Sequence, residues 1–128
     1  MEKVLDETKK ADVVYCLEAV KARKIKWPVD INLPLRFGLA NKVFESMVTG
    51  RPIIVAKDTY NGMFVEEVGS GVVIESSNEN LRNAIVKLRD NPELCMELGK
   101  KGFIAAKEKY NWDRQFLNLL EVYEKISK

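Results

Sequence analysis

The stretch from residue 36 to residue 56 is predicted to form a helix, a glycine stop and a buried strand, and it constrains the fold more than any other part of the chain. Apolar residues recur at helical spacing between positions 39 and 48. Gly50 follows the last of them, where a left-handed cap costs glycine least, and Pro52 prevents further helix. Residues 53–55 are an unbroken apolar run, which is typical of a strand covered on both faces of a parallel sheet.

Two further apolar runs, at residues 13–17 and 72–74, are predicted to be strands of the same sheet. Helical patterns separate the three runs and follow the last one, and this alternation indicates an α/β fold. We therefore expect a Rossmann-like parallel sheet with strands near residues 13–17, 52–56 and 72–74 and helices on both faces. The length predicts that residues 1–128 form a single domain.

Capping residues place the remaining helices. A short helix is predicted at residues 2–10, a second after the N-caps at 76–78, and a third at 91–109, where a proline occupies the first turn. Asn111 is predicted to cap a final helix. The apolar residues on one face of that helix are Trp112, Phe116, Leu119, Leu120, Tyr123 and Ile126.

Glycine and tryptophan positions add two expectations about packing. Gly99 and Gly102 weaken the helix that contains them, which predicts a bend or a close contact with a neighbour. Trp27 and Trp112 are expected to be packing residues, because large aromatic side chains contribute most when they are buried.

The start of the central helix offers groups that suit an anionic or hydroxylated ligand. Unpaired N–H groups and the positive helix pole lie near residues 38–41, and Gly38 lets a ligand approach the backbone. Asn41, Lys42 and Glu45 share one polar flank. A phosphate or sugar hydroxyl placed there would meet N–H donors, a lysine and a glutamate together.

A second loop is predicted at the same edge of the sheet. Residues 57–62 follow the central strand and are rich in turn formers, among them Thr59, Asn61 and Gly62. Ligands of open α/β sheets bind outside the carboxyl ends of the strands, so we expect this loop to contact a bound ligand. Residues 63–68 are predicted to form the short helix that follows.

The composition excludes several classes of site. The chain contains no histidine, which removes His-based triads and every metal site that needs a histidine. The net charge of +2 is too small to indicate a nucleic-acid partner. Cys16 and Cys95 lie far apart in the sequence and are expected to be reduced thiols. No stretch is long and apolar enough for a transmembrane segment.

The segment LANKVFESMVTGRPIIVA resembles the donor-site helix of GT-B glycosyltransferases of the group 1 family. One subgroup of that family carries Pro-Asn-Lys-hydrophobic-Phe-Glu-Tyr-Met, two small residues, glycine, a basic residue and proline before a β-run. The matching residues here are Asn41, Lys42, Phe44, Glu45, Met47, Gly50, Arg51 and Pro52. The resemblance continues more weakly to the C-terminus, where NPELCMELGKKG and an aromatic-Trp pair precede a terminal helix.

Three positions depart from the pattern. Ala40 stands where the subgroup has proline, and Ser46 where it has tyrosine. The broader family signature has two glutamates eight residues apart; Glu45 matches the second, but Phe37 occupies the place of the first.

The resemblance implies a role for each candidate residue. Glu45 would bind the ribose hydroxyls of a nucleotide sugar, and Lys42 would face the diphosphate. Gly38, Leu39 and Ala40 would offer backbone N–H groups, and the loop with Thr59, Asn61 and Gly62 would contact the sugar. The opposing interpretation, drawn from the residues alone, is a solvated helix glutamate paired with Lys42. The connection at residues 18–38 would lie beside the donor site, or else be a surface loop anchored by Trp27.

The resemblance also implies that the sequence is an incomplete GT-B C-terminal domain. A GT-B enzyme has two Rossmann-like domains, and neither the acceptor-binding N-terminal domain nor the first units of the donor domain is present here. We therefore expect an excised piece, a truncated product or one half of a split enzyme, inactive alone. Its expected partners are a nucleotide-sugar donor and the missing domain or upstream half. No cofactor or metal is expected, and the expected location is cytoplasmic, with attachment to the cytoplasmic membrane face through the missing domain left open.

The predicted function is the donor-binding part of a glycosyltransferase that moves a sugar from a nucleotide sugar to an acceptor. Two alternatives remain open at this point. One is a sugar-nucleotide epimerase of the same architecture. The other is a non-catalytic interaction or regulatory module derived from a GT-B half, which the phenylalanine at position 37 favours.

Overall fold

A computed structural model describes residues 2–17 and 41–128. The elements in chain order are α1 (Glu2–Lys10), β1 (Val14–Cys16), α2 (Asn41–Val48), β2 (Ile53–Ala56), α3 (Tyr60–Val68), β3 (Gly71–Ile74), α4 (Asn78–Arg89), α5 (Pro92–Glu108) and α6 (Trp112–Ser127). The predicted connection at 18–38, including Trp27, lies outside the described residues.

The three strands form one parallel sheet in the order β1-β2-β3. Ile53 is aligned with Val14 on one side and with Gly71 on the other. Every residue of β2 is buried, whereas those of β3 are half-buried. The predicted parallel α/β sheet is therefore confirmed, with the unbroken apolar run of β2 at its centre.

Side chains of β2 alternate between two hydrophobic clusters on opposite faces of the sheet. Ile53 and Val55 pack with α2 and α3 on one face. Ile54 packs with Ala84 and Leu88 of α4 on the other. Helices on both faces, as the sequence predicts, thus follow directly from the two-residue period of a strand.

Helix α5 passes along the amino edge of the sheet and joins the two layers. Its first half contributes Leu94 and Leu98 to the α4 side, and its second half contributes Ala106 to the α2 side. Between them, Gly99 lies against the backbone of Gly50, and Gly102 lies against Ser70. The close contact predicted from the two glycines is confirmed, because a Cβ at Gly99 would overlap the Gly50 carbonyl and one at Gly102 would lie 3.0 Å from the Ser70 Cβ.

Two helix details differ from the sequence-based expectations. Helix α3 begins at Tyr60 rather than at residue 63, because the Thr59 side chain caps it one turn earlier. Val48, placed on the apolar stripe of α2 by its spacing, is 50% exposed. It lies in the last turn of the helix, beyond the buried Met47.

Helix α6 has the predicted apolar face, but that face is not covered by the described residues. None of its side chains is buried. Trp112 is 89% exposed, so the expectation that it packs within this part of the chain was wrong. Helical spacing predicts which residues share a face, but it does not say what the face packs against.

The contact between α5 and the turn before β2 gives the first prediction. A methyl group at Gly99 would overlap the carbonyl of Gly50. We expect Gly99→Ala to lower the free energy of unfolding by about 2–3 kcal/mol, although alanine favours helix. Urea denaturation would measure the loss, with Lys100→Ala, at the next and exposed position, as a control. Equal stability of the two variants would show that α5 does not need this close approach.

Candidate functional site

The candidate site lies at the carboxyl edge of the sheet. Helix α2 ends at Val48, and the chain turns through Gly50 directly into β2, so α2 runs antiparallel to that strand. Its first residues therefore lie toward the carboxyl ends of the strands. Asn41 and Lys42 are exposed there, and Glu45 is half-buried one turn later.

The position of α2 is fixed by its buried face and its C-terminal turn. Val43 and Met47 are fully buried. Gly50 has a φ of 67°, which only glycine adopts without strain, and the Arg51 N–H donates to the carbonyl of Ser46 at 2.9 Å. The glycine stop inferred from the sequence is thus confirmed, and it gives the polar flank of α2 a rigid support.

An aromatic cluster joins α2 to α3. The ring centroids of Phe44 and Phe64 are 5.7 Å apart, and that of Tyr110 lies 4.9 Å from Phe64 and 6.4 Å from Phe44. Such tilted and edge-on pairs favour one relative orientation of the helices that carry them. Because Phe44 precedes Glu45, the cluster helps to fix the glutamate relative to the loop between β2 and α3.

The three site residues predicted in the second loop are buried within the chain. Thr59 is 6% exposed, and its hydroxyl donates to the Ala56 carbonyl at 2.7 Å and accepts from the Gly62 N–H at 3.0 Å. Asn61 is 1% exposed and Gly62 is buried against the Ala56 carbonyl. These three residues hold the start of α3 at the same edge of the sheet as Asn41 and Lys42.

The backbone of Asp58, in the predicted loop, is a feature of this edge that was not predicted from the sequence. Among the described residues other than glycine, Asp58 has a positive φ, at 60°. Aspartate tolerates the left-handed region better than most residues, and this preference was the available signal. The exposed neighbour Lys57 lies 3.9 Å from Glu75 at the end of β3, so this pair adds charge of both signs to the edge.

The two charged side chains on the flank of α2 are an exposed Lys42 and a half-buried Glu45. Within residues 2–17 and 41–128, neither Lys42 nor Glu45 takes part in an ion pair. The predicted solvated pair between them is therefore not formed in the structure. The same residues contain no group of three potential metal ligands, and no helix among them is long and apolar enough to cross a membrane.

Cys16 ends β1, and Cys95 lies in α5. Neither forms a disulfide bond. Burial, and then the negative charge of Asp12, raises the pKa of the Cys95 thiol. Its Sγ donates to the carbonyl of Leu88 at 3.2 Å. A protonated, hydrogen-bonded thiol is a poor nucleophile at neutral pH.

Of the predicted site residues, the structure brings together six at one edge of the sheet: Asn41, Lys42, Glu45, Thr59, Asn61 and Gly62. Gly38, Leu39 and Ala40 lie outside the described residues, so their predicted backbone donors stay a prediction.

Comparison with known proteins supports the resemblance to glycosyltransferases. The chain is 34% identical over 90 residues to a protein named Probable sucrose-phosphate synthase from Thermosipho melanesiensis, covering 66% of this chain and 19% of that protein. It is 33% identical over 90 residues to Spore coat protein SA of Bacillus subtilis, covering 68% and 24% respectively. No protein-family profile matches the chain.

A solved structure shows the same fold. Sucrose-phosphate synthase from Thermosynechococcus elongatus superposes with a TM-score of 0.62 at 22% identity, covering 69% of this chain and 22% of that one. The chain thus spans about a fifth to a quarter of the length of these proteins. The relatives are GT-B glycosyltransferases, and the resemblance to a group 1 GT-B fragment is confirmed.

The second prediction concerns Thr59. Because its hydroxyl both caps α3 and bonds the end of β2, we expect Thr59→Ala to lower the free energy of unfolding by about 1–2 kcal/mol. Thr59→Ser keeps the hydroxyl and should retain most of the stability. Urea denaturation of both variants measures the difference. A serine variant as unstable as the alanine variant would assign the effect to packing of the methyl group.

Proposed function

Because the chain is related to part of the group 1 GT-B glycosyltransferases, we propose that it forms the donor-binding part of an enzyme that transfers a sugar from a nucleotide sugar to an acceptor. The observation that carries this proposal is the flank of α2. It presents an amide, a lysine and a half-buried glutamate at the carboxyl edge of a parallel sheet, where ligands of such sheets bind.

Glu45 is proposed to hold the ribose. An ionised carboxylate accepts two hydrogen bonds, and this matches the two neighbouring hydroxyls of a ribose ring. The carboxylate is half-buried and has no ion-pair partner in the described parts of the chain. It can therefore accept bonds from a ligand without first giving up a salt bridge.

Lys42 is proposed to face the diphosphate. It lies in the first turn of α2, where the positive pole of the helix also attracts anions. The leaving group in sugar transfer from such a donor is a nucleoside diphosphate, whose negative charge must be stabilised. Backbone N–H groups of residues 38–40 would add to this stabilisation. No metal held by this chain is required for that role.

The loop at residues 57–62 is proposed to contribute to the sugar end of the donor site. Thr59, Asn61 and Gly62 would act by holding the loop in place, since their polar groups are buried. Direct contact with a sugar would then come from the exposed side chains of Lys57 and Asp58.

The remaining parts of the enzyme are proposed to come from outside the described residues. Tyr15, in the middle of β1, is 59% exposed, and no strand in the described part of the chain pairs with the outer edge of β1. Both observations support a further strand and helix beside β1, as an upstream half of the donor domain would supply. We propose that the acceptor site lies on the missing N-terminal domain, that the chain alone is inactive, and that the complete enzyme is cytoplasmic.

A second candidate is a non-catalytic module. It is favoured by Phe37 in place of the first family glutamate and by a relative named as a spore coat protein. Nucleotide binding separates the two proposals, because a module that serves only as an interaction surface does not need a donor site.

The third prediction tests Glu45. Glutamine keeps the shape of the side chain but removes its charge, and a hydrogen bond to a charged group contributes about 1.5–3 kcal/mol. We therefore expect Glu45→Gln to weaken binding of a nucleotide sugar roughly tenfold or more. Isothermal titration with UDP-, GDP- and TDP-glucose would measure it. Glu67→Gln, at an exposed position on α3, is the matched control.

Thermal melting of the Glu45→Gln variant should be nearly unchanged, because the side chain lies outside the apolar stripe of α2. Unaltered affinity at equal stability would leave Glu45 as an ordinary surface residue. An absence of binding in the unsubstituted chain and in the longer protein that contains it would favour the non-catalytic module.

The fourth prediction concerns Lys42. Its removal in Lys42→Ala should weaken nucleotide-sugar binding at low salt, and the difference from the unsubstituted chain should shrink as salt is added. Titrations at low and high ionic strength, with Lys107→Ala as a control at an exposed position on α5, would measure this. A salt-independent loss would contradict a phosphate contact.

A further inference from the structure

Strand β3 has a free edge in the described structure. The Ile53 N–H donates to the Ser70 carbonyl and the Lys57 N–H to the Ile74 carbonyl, at 3.3 and 2.6 Å. Because bonding alternates along a parallel strand, the N–H and C=O groups of Gly71 and Val73 point away from β2. Within residues 2–17 and 41–128, no strand pairs with them.

A groove runs beside this edge, between β3 and the outer flank of α4. Its volume is about 340 Å³. Val72, Ile74 and Ala84 form an apolar floor, and polar side chains of α4 form the rim. An added strand would therefore find main-chain partners on β3 and an apolar surface under its side chains. A second concavity, about 560 Å³ in volume, adjoins the groove and shares Asn83 with it.

The flank of α4 carries opposite charges at its two ends. Glu79, Asn83 and Lys87 are spaced four residues apart and are exposed. Neither charged side chain forms an ion pair with any other residue that the structure describes. A two-fold axis through Asn83 would place Glu79 of one copy opposite Lys87 of the other, and the reverse, so the flank is complementary to itself.

The strand and the helix share the same centre of symmetry. An antiparallel pair centred on Val72 would join Gly71 of one copy to Val73 of the other through four main-chain hydrogen bonds. Ile74 and Val72 are about 6.6 Å apart along the strand, and a helix covers the same distance in about four residues. Helix α4 runs antiparallel to β3 from residue 78, so Asn83 lies level with Val72, as their place in one groove also indicates.

We propose that the β3 edge and the α4 flank form an interface between two copies of this chain, with one sheet continuous across a two-fold axis. The charge pattern favours a second copy over an unrelated peptide, because both charge pairs and the strand pairing are satisfied by the same axis. The proposal does not depend on the proposed function. The apolar face of α6, which the described residues leave uncovered, is a separate surface. Association through α6 therefore has to be distinguished from association through β3 and α4.

The first measurement is hydrogen exchange as a function of protein concentration. The outward amides of Gly71 and Val73 should become protected as concentration rises. The amide of Tyr15 is the matched control: the Val14 N–H donates to Pro52, so that of Tyr15 points outward at the opposite edge of the sheet. It should keep the same exchange rate throughout. Protection that appears on α6 and not on β3 would overturn the proposal.

Sedimentation equilibrium of charge variants provides the second measurement. Glu79→Lys and Lys87→Glu each create two like-charge contacts, so each should weaken dimerisation by about tenfold. The double variant restores opposite charges across the axis and should return the dimer to near the original strength. Glu66→Lys, at an exposed position on α3, should have no effect.

A double variant as weak as the single ones would overturn the proposed register, and a chain that remains monomeric at every concentration would overturn the interface. Val73→Pro removes one outward N–H and should also weaken the dimer. If circular dichroism shows that Val73→Pro is unfolded, the charge variants alone test the interface, since Glu79 and Lys87 are exposed on the surface of α4.

Discussion

The complete burial of β2 is the constraint on which the rest of the structure depends. A strand buried on both faces needs a neighbour on each edge, because its backbone N–H and C=O groups must be hydrogen-bonded, and a helix layer on each side. Ile53 and Val55 meet α2 and α3, while Ile54 meets α4. The same strand therefore fixes the parallel sheet, the two layers and the edge at which both α2 and α3 begin.

The positions of the strands and most helices could be predicted because their signals are local. Unbroken apolar runs predicted all three strands, and the Gly50–Pro52 stop separated α2 from β2 correctly. Gly99 was harder to interpret: its presence predicted a bend or a close contact, and only the structure identifies Gly50 as the neighbour. When two residues far apart in the sequence are in contact, each can be recognised as a contact residue from its own surroundings, but its partner cannot be identified.

The sequence did not predict what a helix face or a loop residue contacts, although it predicted which residues lie on the same face. Spacing placed Trp112 correctly on the apolar face of α6, yet the face is uncovered by the described residues. Thr59 was predicted to lie in a loop that contacts a sugar; its hydroxyl bonds within the chain, and the sugar contact stays a prediction. At the candidate site, helical spacing predicted that Asn41, Lys42 and Glu45 share one flank of α2, whereas their proposed roles come only from the resemblance.

The carboxyl edge of the sheet as a nucleotide-sugar site is tested most directly by amide chemical shifts. When UDP-, GDP- or TDP-glucose is added to isotope-labelled protein, the amides of Asn41, Lys42 and Glu45 should shift in a saturable way. Those of Gly50 and Ser70, at the amino edge, should stay unchanged. Shifts confined to the amino edge, or none with any of the three nucleotide sugars in this chain or in the longer protein containing it, would contradict the site proposed for this fold.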